Sequence, residues 1–221
     1  MNPTTLNRTR RVVGTALAAV TLAAALSACA PLIVGGAVVG GVMAVDRRTA
    51  GTQIEDEGIE LRAANRIREA LGDRAHVNVT SYNRQALLTG EVATAQDRQA
   101  VEQMVSQVEN VRSVVNDLAV MPSSTLSQRS TDTFITGKVR ASLVDAQDIS
   151  ANSFKVVTER NIVYLMGRVS QREANRATDI ARGVSDVRKV VRVFEIVSEE
   201  ELRRIAPQPA PVTTDTKPAG G

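Results

Sequence analysis

Apolar positions along this chain fall into two successive stretches that run through the same order of periods. Leu61, Ala64, Ile67 and Leu71 recur at three- and four-residue steps, which predicts a leading helix with one apolar face. The period then drops to two. Val77 and Val79, followed by Ala86 and Leu88, mark a strand pair joined through Tyr82-Asn83-Arg84. A second helix is predicted from Thr94, with Asp97 three residues on as a capping arrangement and Val101, Met104, Val105 and Val108 facing inward. A last strand runs from Val111 to Val120. The order then returns: Ile135, Val139 and Leu143, then Phe154 and Val156 paired with Val163 and Leu165 across Glu159-Arg160-Asn161. A helix capped by Ser170 and Glu173 follows, with Ala177, Ile180, Ala181 and Val184 inward, and a strand from Val187 to Val197.

Laid on itself at an offset of about 77 residues, the chain matches Leu87-Leu88-Thr89-Gly90-Glu91-Val92 to Tyr164-Leu165-Met166-Gly167-Arg168-Val169. Val108 to Val114 likewise matches Val184 to Val190 once one residue is dropped. About five extra residues, around Ala146 to Ser150, precede the first strand of the second copy. The predicted fold class is therefore α+β: two tandem αββαβ domains, each with two helices packed on a small three-stranded mixed sheet. The boundaries read from the pattern are 53–121 and 131–198, with 122–130 as linker. Domains of this size without disulfides have thin cores, so the copies are expected to lean on each other.

The amino terminus has a different logic. Arg8, Arg10 and Arg11 precede an uncharged run from Val12 to Leu26, of secretory rather than spanning length, and Leu26-Ser27-Ala28-Cys29 resembles a lipobox. That resemblance implies a signal peptide over 1–28 and a lipid on Cys29. Ala30, in place of aspartate, implies sorting to the outer membrane. Residues 29–52, rich in glycine, read as a tether, and 199–221, rich in proline and glycine, as a disordered tail.

The Leu-Thr-Gly-Glu-Val and Leu-Met-Gly-Arg-Val runs, the capped helix and the closing Val-x-x-Val-Val pattern together resemble BON domains. Asp132 to Arg140, Val163 to Gly167 and Arg172-Glu173-Ala174 carry the likeness in the second copy. Two such domains behind a lipobox are similar to the dual-BON outer-membrane lipoproteins, over roughly Cys29 to Val197. The resemblance implies a lipid-anchored protein on the periplasmic face that supports envelope integrity, its second domain binding anionic phospholipid through its first helix.

Charge narrows the partners. All 24 acidic residues lie after the signal together with 24 of the 27 basic ones, so the mature chain is neutral, which removes the simplest argument for nucleic-acid binding. The halves differ: 7 basic and 11 acidic residues over 53–121 against 11 and 8 over 131–198. The second half is the one suited to an anionic surface. A cysteine committed to lipid leaves no thiol for a disulfide, a metal or a nucleophile.

No catalytic constellation is visible, and neither an enzyme nor a cofactor is expected. His76, the single histidine, reads as a strand-entry surface residue with no metal site around it. The run Glu55-Asp56-Glu57 reads as a solvated helix approach. Gly90 and Gly167, at matching places, read as sites of close backbone packing.

At a hundred degrees per residue, Ile135 and Val139 face the sheet while Phe134, Gly137, Lys138 and Ala141 lie on a neighbouring stripe. On the residues alone two readings stand side by side. In one, Phe134 enters a lipid boundary while Lys138 and Arg140 attract phosphates; in the other, the ring closes the core and the cations are solvated. The family resemblance favours the first. The competing function is an adaptor for outer-membrane assembly proteins, working through the acidic first domain or a sheet edge, without lipid specificity.

Overall fold

The computed structural model describes residues 46–205; the expected signal peptide, Cys29, most of the expected tether and the expected tail from residue 206 lie outside the described residues. Helix α1 (Ala50–Leu71) begins when Thr49 Oγ1 accepts the Thr52 amide, and ends at Gly72, whose φ of +54° suits glycine. Its inward stripe is Asp56, Ile59, Ala63, Ile67 and Leu71. Leu61, expected inward, is 64% exposed. Six residues from Ile67, it stands about 120° around the helix from it, whereas Ile59 and Ala63 continue the stripe.

Strands β1 (His76–Tyr82) and β2 (Gln85–Val92) pair antiparallel, Val79 opposite Leu88. After α2 (Ala95–Ser106) the chain returns parallel to β2 as β3 (Ser113–Asn116) and β4 (Ala119–Val120). The expected single last strand is thus interrupted at Asp117-Leu118, where Leu118 turns into the core. The register survives the gap, Leu88 facing Asn116 and Glu91 facing Ala119. The second repeat has α3 (Leu126–Asp145), β5 (Lys155–Glu159), β6 (Ile162–Val169), α4 (Gln171–Arg182) and an unbroken β7 (Lys189–Ile196), in strand order β5-β6-β7. Both sheets are mixed, with the second strand of each hairpin in the centre.

Two sequence boundaries move. Thr125 and Gln128 form a capping box that starts α3 inside the expected 122–130 linker. A further helix, α5 (Glu199–Ile205), occupies the start of the expected tail, burying Leu202 and pairing Glu201 with Arg168. The Pro- and Gly-rich composition that suggested disorder begins only after Ile205.

Each hairpin turns through two residues in the left-handed region, Asn83 and Arg84 at φ 50° and 64°, Arg160 and Asn161 at 53° and 62°. Such a turn matches the twist of the strands but strains side chains other than glycine. A buried aspartate from the leading helix supplies the compensation. Asp56 accepts the amides of Asn83 and Arg84, both at 2.8 Å, and the Ser81 hydroxyl at 2.7 Å; Asp132 accepts those of Arg160 and Asn161 at 2.9 and 2.8 Å. Asp56 is 1% exposed, not the solvated residue that its acidic neighbours suggested. Burial pushes its carboxyl up, but the Ser81 hydroxyl, the two amides and Arg48 outweigh that and hold it below the ordinary range.

One face of each sheet meets its own helices. Ala86, Leu88 and Val92 join Ile59, Ala63, Val101 and Val105 in the first core, and Val163, Leu165 and Val169 join Ile135, Val139, Ala177 and Ala181 in the second. The other faces meet each other. Tyr82, Leu87, Tyr164, Met166 and Val193 form a third buried cluster across the two repeats, making four layers: helices, sheet, sheet, helices. The expectation that the copies lean on each other is met by this apolar seam, in which Tyr164 and Met166 are wholly buried.

Candidate functional site

The exposed face of α3 follows from the burial of its opposite side. With Asp132, Ile135, Val139 and Leu143 turned inward, Leu126, Phe134 and Val144 are left 79%, 67% and 67% exposed. Gly137 and Ala141 are exposed between them, and Gly137 has open space where a side chain would be. At 1.5 Å per residue Leu126 and Val144 stand roughly 27 Å apart; the stripe is continuously apolar from Phe134 to Val144, with exposed Ser130 between Leu126 and Phe134. Phe134 does not close the core.

Lys138 and Arg140 flank the stripe on opposite sides. The Lys138 ammonium sits 5.0 Å from the centroid of the Phe134 ring and donates to Asp186 Oδ2 and Ser185 Oγ, both at 2.7 Å, and to the Ser185 carbonyl at 3.0 Å. This tie has no trace in the apolar pattern, since its partners come from the loop after α4. Hydrogen bonding to Lys138, together with its charge, holds the exposed Asp186 carboxyl below the usual range. A ring braced by a cation is an ordered apolar projection, and such surfaces suit lipid or protein contact. Arg140 is exposed on the far flank.

A second cluster lies where the repeats meet. His76 Nδ1 is 3.0 Å from Glu91 Oε2, and ligand atoms of His76, Glu91 and Glu159 all lie within 4.8 Å of one another. His76 is therefore half-buried against two buried carboxylates rather than a free surface residue, because the face of β1 that carries it is covered by the other repeat. These are donor types for a divalent cation, but protein groups already engage both carboxylates. Arg160 Nη1 stands 3.3 Å from Glu91 Oε1, the Ser124 amide donates to Oε2, and the Asn78 amide donates to Glu159 at 2.9 Å. Burial raises the Glu91 carboxyl, yet the Ser124 amide, His76 and Arg160 prevail and leave it below the ordinary range. Glu159 goes the other way: burial pushes it up, Asn78 opposes, and the charge of Glu91 adds to the rise.

A group with a raised folded-state pKa contributes stability below its unfolded value that is lost as pH climbs through the folded one. Glu159→Gln should accordingly raise the Tm at pH 7 by roughly 2–4 °C, since the amide still accepts from Asn78. Near pH 4, where the wild-type carboxyl holds its proton, the gain should vanish. Melting curves of both proteins across that range check the sign.

Gly90 and Gly167 occupy equivalent positions on the two central strands, and neither touches the α3 stripe. A Cβ on Gly90, whose φ is +109°, would stand 2.0 Å from the His76 carbonyl oxygen; one on Gly167 would stand 2.4 Å from that of Ser153. His76 and Ser153 are themselves equivalent at the same 77-residue offset.

Comparison with known proteins agrees with this architecture. The BON domain family matches residues 59–122 and 131–198, one match per repeat. The chain belongs to the BON-domain family. BON domain 1 and BON domain 2 are thus the two halves of the four-layer stack. The chain is similar to outer membrane lipoprotein DolP of Haemophilus influenzae, with 36% identity over 172 residues, 77% of this chain and 89% of that protein. It is also similar to a 21 kDa hemolysin of Actinobacillus pleuropneumoniae, 34% identical over 155 residues, 69% of this chain and 80% of the relative. A shorter likeness, 42% over 60 residues, links it to osmotically-inducible protein Y of Escherichia coli, covering 27% of this chain and 30% of that one.

One feature of the BON pair is not written in the apolar pattern. Arg47 and Arg48, assigned to the tether, are partly buried against both domains. The BON–BON seam had a legible signal, since Ala86-Leu87-Leu88 and Ile162 to Met166 are continuous apolar runs rather than alternating ones, as in strands covered on both faces.

Proposed function

We propose that this chain is a lipid-anchored outer-membrane protein of the periplasmic face, without enzymatic activity, whose BON domain 2 binds anionic phospholipid and so supports the integrity of the outer membrane. The observation that carries this reading is Phe134, exposed over the Lys138 ammonium on an apolar stripe outside the Ile135–Val139 core. The ring and the small residues Gly137 and Ala141 allow shallow insertion; Arg140 draws the phosphates, worth about 1 kcal/mol near an anionic surface, and Lys138, whose charge Asp186 already offsets, adds less. Cys29 holds the anchor. No helix among the described residues is long and apolar enough to cross a membrane. Likeness to a protein named as an outer membrane lipoprotein supports the location.

The test uses soluble Cys29→Ala protein and vesicles with or without phosphatidylglycerol. Binding should require the anionic lipid. Phe134→Glu should weaken it about tenfold or more, since the loss of one inserted ring exceeds 1.4 kcal/mol, while the Tm changes little at so exposed a position. Lys138→Ala should weaken it less and flatten its salt dependence. Unchanged flotation of a folded Phe134→Glu protein overturns the reading. A second reading, an adaptor for assembly proteins, is favoured by Ile54 and Leu61, which are 71% and 64% exposed and share a stripe of α1 in BON domain 1. Vesicle binding indifferent to lipid charge, with assembly-protein capture lost in Leu61→Glu, would select it.

A further inference from the structure

Helix α1 is capped by Thr49, so Asp46, Arg47 and Arg48 belong to neither BON fold, yet they are fixed to both. Arg47 forms a fork on Glu173 of BON domain 2, at 2.8 and 2.7 Å, and donates to the Arg168 carbonyl at 2.9 Å. Arg48 pairs at 2.8 Å with Asp56, the buried carboxylate that holds the BON domain 1 hairpin, and lies 4.3 Å over the Tyr82 ring at the domain seam. Asp46 is held in turn by Arg48 at 2.7 Å. Two-pronged arginine pairs with partly buried carboxylates are among the more rigid polar contacts a protein makes. Asp46 also lines a shallow cavity together with Arg140 and Val144, at the carboxy-terminal end of α3.

We propose that Asp46–Arg48 is a clamp that starts the tether at the Arg140–Val144 end of α3, and thereby turns the apolar face of that helix toward the membrane carrying this protein's own anchor. The 18 residues from Cys29 to Asp46 reach at most roughly 60 Å when extended. Reach alone selects no orientation of the domains. Fixing the tether's last three residues to both domains does select one, and places the Val144 end of α3 closer to the point of attachment than the Leu126 end. This rests on the lipid reading of α3 given above.

The test uses the full lipoprotein reconstituted in phosphatidylethanolamine–phosphatidylglycerol vesicles that carry brominated acyl chains. Because acylation consumes Cys29, a single added cysteine, Val144→Cys or Leu126→Cys, can carry a fluorophore. Quenching should be at least twofold stronger at position 144 than at 126. That ratio should fall toward one in Arg47→Ala, and equally in Glu173→Gln, which keeps an acceptor for the Ser170 amide and so spares the α4 cap. It should also fall toward one in unanchored Cys29→Ala protein bound to the same vesicles. A ratio that both clamp variants leave intact overturns the clamp while sparing lipid binding. Absence of quenching at either position in the anchored wild type overturns the lipid reading and the clamp together.

Discussion

Gly90→Ala should cost more than about 3 kcal/mol, because its methyl group has nowhere to go. The obstruction is backbone rather than a flexible side chain: the His76 carbonyl oxygen at 2.0 Å belongs to the strand paired with β2. Relief would require β1 and β2 to separate, breaking the Val77–Gly90 register that positions both the hairpin and Glu91. The φ of +109° adds a second penalty, since no L side chain rests there without strain. Gly167→Ala meets the Ser153 carbonyl at 2.4 Å and should behave likewise, somewhat less severely. Gly137→Ala supplies the contrast. It lies within α3 with open space around it, so the methyl should stabilise the helix by up to about 1 kcal/mol. Denaturant unfolding of the three variants checks the order, and equal stability of Gly90→Ala and wild type would refute the close-approach argument.

The glycine pair shows what a sequence holds and where it stops. Repetition at one offset marked the two positions, and a strand glycine suggested close packing, but the atom approached is a carbonyl that only the fold brings there. Helices and strands were legible because each buries one face and writes that face into its period. Leu61 misled because three- and four-residue steps leave a choice at every turn, and the choice that included Ile59 and Ala63 has the better phase. Asp56 was hidden by its neighbours Glu55 and Glu57. An acidic run looks solvated, and only the hairpin folded against α1 shows that the middle carboxylate has four donors waiting. On α3 the stripe could be read from Ile135 and Val139, but not whether Phe134 stood outside the core, and the tie from Lys138 to Ser185 and Asp186 depends on how the loop after α4 packs. The interdomain cluster was invisible for the same reason: His76, Glu91 and Glu159 are far apart in sequence and meet across a seam between sheets.

That seam carries the second large effect. Tyr164→Ala should destabilise the protein by about 3–5 kcal/mol, since it empties the space of a wholly buried ring among Leu87, Met166 and Val193 and also removes the hydroxyl that donates to Asp117 at 2.7 Å. Tyr164→Phe keeps the ring and loses only that bond, so about 1 kcal/mol is expected from it. Burial and Asp117 together push the phenol well above its ordinary pKa, so the hydroxyl remains a donor at neutral pH. The same seam predicts how the halves behave apart. Residues 131–198 expressed alone would present Tyr164, Met166 and Val193 to water, and 53–121 would present Tyr82 and Leu87, apolar faces that isolated soluble domains avoid. Each half should therefore melt well below the pair or self-associate, and assays of α3 on lipid are sound only in the two-domain protein. If Tyr164→Ala melted with the wild type, and the separate halves were as stable as the whole, the two BON domains would be independent units and the rigid presentation of α3 would have no structural basis.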